Sequence, residues 1–241
     1  MQYSNRHLVE VNCGFQFLNE TTPWDSIFFG QFYEKIKTQG FTERQERKGV
    51  QIKFDGNLKN KGIAPLTSSE IEDQVVFKNN SKGMAIAMGK NKISFHIIKD
   101  YTNWEDFIIN LIEPYTKIYK DLGLGNGSRQ CNIVYLNRFI KQNNEKLSDY
   151  FTIISPMEPK FGIERTTSIQ RVIENDQNFL ITKLNSQARP DGLNINLECG
   201  AICKSVICMN TSDWILQANQ THEPVNAFFE SIITEKLRAE L

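Results

Sequence analysis

The sequence predicts an α+β fold built on antiparallel-rich sheets, and three observations carry that prediction. Apolar and polar residues alternate in several runs, as at Val9, Val11, Cys13, Phe15 and Phe17. Two longer runs, at about 103–122 and 222–240, repeat their apolar residues at helical spacing. Short separators rich in Asn and Gly divide neighbouring strands, which is hairpin chemistry.

The opening run is a strand with five apolar side chains on one face. A helix follows. Thr22 suits an N-cap, Pro23 the first helical position and Asp25 the positive helix start, while Trp24, Phe28, Phe29, Phe32 and Ile36 form a stripe that ends at Gly40. The charged stretch 43–48 leads into a strand carrying Val50, Ile52 and Phe54. Residues 55–74 read as a long polar loop that holds the solvated carboxylates Glu70, Glu72 and Asp73. A meander is expected at 75–77, 84–88 and 93–98, with turns at 79–83 and 89–91.

The helix over 103–122 is capped by Asn103, kinked at Pro114 and stopped by the glycines of 123–127. Residues 131–140 are apolar on both faces, the mark of a central strand. The polar connector 141–148 divides the chain into a unit over 1–140 and a second over 149–241 packed on it. The first fits a ferredoxin-like βαββαβ plan with an extra hairpin. The second reads as strands at 150–154, 165–174, 178–184, 192–199 and 201–208, then a helix whose stripe is Val225, Phe228, Phe229, Ile232, Ile233 and Leu237. The alternative is one long curved sheet gripping the terminal helix.

Of the 241 residues, 28 are basic and 28 acidic, so bulk charge argues against general binding to nucleic acid or membrane surfaces. Five cysteines without framework spacing suit a reduced compartment. The first residues lack an apolar segment, and no run approaches the roughly 20 residues that span a bilayer. A cytoplasmic protein with no membrane partner is expected.

The motifs of chemistry are mostly missing from the sequence. Cys199, Cys203 and Cys208 lack the paired spacing of a zinc site and read as buried thiols. His7, His96 and His222 are not paired at ligand spacing, and His222 falls in line with Val225 and Phe229 as a packing residue. The run 83–90 misses the phosphate-loop spacing and reads as a strand. The glycines of 123–127 follow a helix and precede a strand, the reverse of a dinucleotide site; with Arg129 nearby, the alternative is a loop that approaches phosphate. No catalytic residue, metal or cofactor is assigned.

Four segments carry a resemblance: 7–11 (His-Leu-Val-Glu-Val), 101–107 (Tyr-Thr-Asn-Trp-Glu-Asp-Phe), 135–139 (Tyr-Leu-Asn-Arg-Phe) and 222–238, with His222, Phe229, Glu230, Ile233 and Thr234. In that order the chain resembles a sporadically distributed family of uncharacterised bacterial proteins of similar length. One departure is Val134, where that family's pattern has a basic residue before the tyrosine. The resemblance implies no activity; its patchy distribution associates it with mobile or antiviral-defence genes.

The expected function is a non-enzymatic binding or regulatory subunit acting through protein contacts. The alternative is an RNA-binding protein of ferredoxin-like plan. A third reading is an enzyme using Arg138 with a carboxylate or His222. The candidate binding residues are Arg129, Asn137, Arg138 and Lys141, a cation-bearing edge around the strand at 131–140.

Overall fold

In the computed structural model, residues 7–18, 23–53, 67–126, 128–142, 145–154, 167–190, 192–204 and 211–241 are described. Nine strands form one sheet: β1 Leu8–Leu18, β2 Glu43–Lys53, β3 Thr67–Asn79, β4 Met84–Gly89, β5 Lys92–Ile97, β6 Ser128–Lys141, β7 Thr167–Glu174, β8 Asn178–Arg189 and β9 Gly192–Cys203. Their order is β2-β3-β4-β5-β1-β6-β9-β8-β7, and every neighbouring pair is antiparallel. The α+β class is therefore as the alternation predicts.

The helices are α1 Ile27–Ile36, α2 Trp104–Phe107, α3 Glu113–Asp121, α4 Thr211–Ile232 and α5 Glu235–Glu240. They pack on the sheet face that carries Val11, Cys13, Phe15 and Phe17 of β1 and Leu193, Ile195 and Leu197 of β9. The alternation of the strands explains why: side chains at i and i+2 share a face, and only one face is consistently apolar.

The order reads alike from its centre outward. β1 and β6 lie side by side; β5, β4 and β3 follow on one side and β9, β8 and β7 on the other. A helix follows each inner partner, α2 and α3 after β5 and α4 after β9. β6 pairs along most of its length with both β1 and β9, so the sheet continues without a break across the sequence boundary near 141–148.

Several expected elements shift. Residues 67–74, expected in a loop, belong to β3, because β2 supplies a ladder partner and sets Lys48 opposite Asp73 and Gly49 opposite Glu72. α1 starts at Ile27, where the Asp25 carboxylate accepts the Ile27 N–H at 2.9 Å; Thr22 lies outside the described residues, as do Phe54 and Cys208. The Gly40 stop holds, at φ 96°, and a Cβ there would meet the Asn79 amide at 2.6 Å.

The helix over 103–122 is split by a π-turn at Ile108–Ile112, which delivers Pro114 to the first turn of α3, where its missing N–H breaks no bond. The expected strand 150–154 is instead a 3₁₀ turn, Leu147–Asp149, and one bridge from Phe151 to Ile233. The terminal helix begins earlier than read, at Thr211, and breaks at Thr234, which caps α5.

Candidate functional site

α4 reaches into both cores beneath the sheet. Its first turns bury Trp214 and Ala218 in one core, and its later turns bury Val225, Phe228 and Ile232 in another. Between the two cores lies a cavity of about 370 Å3. The first half of the chain lends it Tyr101 and Trp104, the central strand lends Tyr135 and Asn137, and α4 lends His222 and Phe229.

Each wall has a local cause. Asp100 adopts a left-handed φ of 59°, which turns the chain out of β5 toward the cavity. Asn103 then caps α2, accepting the Asp106 N–H at 2.8 Å. Asp106 in turn accepts from Thr102 Oγ1 at 2.6 Å and Asn103 Nδ2 at 2.8 Å, so those two polar groups are committed to the turn. The π-turn follows directly, and Pro224 sits inside α4, two residues after His222. A left-handed non-glycine, a π-turn and a helical proline around one hollow are the irregularities that functional sites accumulate.

The Trp104 and His222 rings stack, with centroids 4.2 Å apart and 1° between planes. Trp104 Nε1 donates to Asn219 Oδ1 at 2.7 Å, fixing the indole against α4. His222 Nε2 is buried and has no hydrogen-bond partner among the described residues. Burial lowers the His222 pKa to about 4, so the ring is neutral at physiological pH. The Tyr101 and Tyr135 hydroxyls meet at 3.2 Å, and burial raises both phenols, Tyr135 strongly. Cys199, opposite Tyr135 on β9, is pushed up to about 12 by burial and is an inert thiol here.

The four sequence-derived candidates do not gather on one surface. Arg129, Asn137 and Lys141 are odd-numbered on β6 and face the helices; Arg138 faces the other way. Arg129 is fully buried, with its guanidinium 5.0 Å from the Trp214 ring centre. Lys141 is buried against Glu240 and stands 3.9 Å from the Tyr150 ring centre. Arg138 is exposed, and its Nε donates to Asn196 Oδ1 at 3.2 Å. Asn137 alone reaches the cavity. The glycine loop is likewise structural: Gly125 has φ 76°, and a Cβ there would lie 2.9 Å from the Trp214 ring. The positive φ and the close approach, rather than a phosphate, account for the glycine.

On the helix-free face, Ser94 Oγ lies 2.8 Å from His96 Nε2, and His96 Nδ1 lies 2.6 Å from Glu10 Oε1. This order matches a nucleophile relay. Ser94 nevertheless sits in the middle of β5, paired with Gly14 on one side and Ala87 on the other, so the neighbouring backbone donors are committed to the ladders and cannot receive an oxyanion. Among the described residues, no group of three or more His, Cys, Asp or Glu is placed to hold a metal ion. No described helix is long and apolar enough to cross a membrane.

Comparison with family models, with curated proteins and with solved structures finds no match. The site therefore rests on its own geometry. Sequence reading marked Trp104 as core and His222 as packing, and it aligned His222 with Val225 and Phe229, all three of which line the cavity. What it lacked was any signal joining residues so distant in the chain.

Proposed function

We propose that the protein is a non-enzymatic binding subunit that holds a small organic ligand in the cavity between its two cores and acts through contacts with a protein partner. The observation that carries the reading is the aromatic wall of the cavity, where the neutral His222 ring stacks on Trp104. A ligand there touches both halves of the chain, so occupancy is coupled to how firmly the halves pack. Val172 and Ile173 are exposed apolar side chains on opposite faces of the edge strand β7, which is the part of the sheet offered to a partner. The same reading takes the first half as a ferredoxin-like unit, β6-β1-β5-β4, extended by β3 and β2. It also keeps the setting implied by the bacterial resemblance, an accessory protein of a mobile or defence-linked system.

RNA binding is the weaker reading, because Arg129 and Lys141 are buried and only Arg138 of the three expected cations is exposed. The test is a thermal-shift screen of small organic compounds against the wild type and Trp104→Ala. Because Trp104 is only partly buried, its loss should cost about 1–2 kcal/mol. Compounds that raise the wild-type midpoint should lose their effect in the variant. A screen in which every stabilising compound acts equally on both proteins would sink the proposal.

A further inference from the structure

The chemistry of the cavity wall narrows what it can hold, and this step rests on the small-ligand reading above. Among the described residues, no Lys or Arg lines the cavity. The one side-chain carboxylate among the described lining residues, Glu230, is held by Arg238 Nε at 2.8 Å. An anionic group brought into this space would lose its water and gain no cation, which is costly. A cationic ligand fares little better, since the carboxylate is already bridged by Arg238. The wall therefore selects for an uncharged molecule.

The wall also selects for a flat one. Tyr101, Trp104, Tyr135, His222 and Phe229 supply ring faces and edges around the hollow. Tyr101 and Tyr135 meet edge-on at 6.0 Å and 87°, while Trp104 and His222 stack as one plate, so the wall offers flat ring surfaces to a flat ligand.

Hydrogen-bonding capacity is concentrated at one end. Asn137 presents a carboxamide, with an acceptor and a donor side by side. Tyr135 shares its hydroxyl with Tyr101 through one bond, and a hydroxyl has room for more than one. A side-by-side amide matches a heterocycle edge that carries an acceptor next to a donor, the pairing Asn makes with adenine. At about 370 Å3, the space lies toward the small end of ligand pockets, which run from roughly 300 to 1,000 Å3.

We infer that the cavity binds an uncharged, planar heteroaromatic molecule with adjacent donor and acceptor groups, the chemistry of a nucleobase or free nucleoside, and rejects its phosphorylated form. Asn137 reads the edge, and the aromatic wall holds the plane.

The test uses the full chain and titrates the four ribonucleosides, their 5′-monophosphates, tetramethylammonium and cyclohexanol, read by saturation-transfer NMR. At least one nucleoside should bind, with its monophosphate at least tenfold weaker. Asn137→Leu should weaken the nucleoside tenfold or more. Ala227→Trp, at an exposed position on the cavity rim, should abolish binding without cutting into either core, and it carries the test if Asn137→Leu does not fold. Equal binding of nucleoside and monophosphate, or nucleoside binding untouched by Ala227→Trp, overturns the inference. Retention of cyclohexanol or tetramethylammonium alone, lost in Ala227→Trp, overturns the heteroaromatic class and leaves the small-ligand reading standing. Retention of none of the probes overturns the inference; the broader reading then depends on the compound screen.

Discussion

The two cores beneath the sheet are filled differently. The first is a lattice of rings: Phe15, Phe17, Phe32, Phe77, Phe95, Phe107, Tyr119 and Trp214 are buried there. Trp214 alone lies within 4.8 Å of Phe15, 5.2 Å of Phe17 and 6.3 Å of Tyr119, measured between ring centres. The second is mainly aliphatic, with Leu184, Leu193, Ile195, Leu197, Val225 and Ile232, and rings such as Phe139 and Phe151 among them. Rings are rigid plates, so removing one strips contacts from several others at once. Aliphatic chains can shift rotamer and close part of a gap. The cavity lies where the two packings meet, beside Tyr135, which packs against both.

The sharpest way to break that comparison is Trp214→Ala. It should cost about 3–5 kcal/mol, with the upper end favoured because the guanidinium of Arg129 loses the ring beside it. Leu197→Ala in the second core should cost less, about 2–3 kcal/mol, because its aliphatic neighbours can settle into the space. Urea unfolding of both variants measures the difference. If Leu197→Ala costs as much as Trp214→Ala, the two cores do not differ in the way described.

The boundary between them should be visible in a pH titration of stability. The His222 pKa is about 4 when folded and near 6.5 when unfolded, so the unfolded chain takes up the proton first. Its contribution is complete above about pH 6.5 and is lost as pH falls toward 4. The loss is about 2 kcal/mol once partial solvent exposure is discounted. His222→Phe keeps a ring against Trp104 and should flatten this part of the profile, measured by thermal midpoints from pH 7.5 to 4. An unchanged slope in the variant would place the titration elsewhere.

The smallest expected effect is on the helix-free face. Arg138→Ala removes an exposed hydrogen bond to Asn196 and should change stability by less than about 0.5 kcal/mol. A larger loss would mean that this face contributes to folding as the cores do.

Much of the fold was legible because its signals are local. Alternation placed most strands, hairpin residues placed the 79–83 and 89–91 turns, and Asn103 and Gly40 marked helix ends that the structure keeps. The misreadings fall where a distant partner decides. Polar residues 67–74 join β3 because β2 lies beside them. Arg129 reads as a surface cation, yet the Trp214 ring lies against it and it is buried.

By itself, then, the sequence determined the class of each segment and the apolar face of each strand, because these depend on residues within a turn or two of one another. Tertiary structure alone decided the strand order, the side-by-side placement of β1 and β6, and the site. Trp104 and His222 stack because one helix reaches into both cores beneath the sheet, and no periodicity within either segment records that meeting. Asn137 and Arg138 are adjacent in sequence, yet the pleat sends one into the cavity and the other to the opposite face; which face holds the cavity depends on where the helices pack.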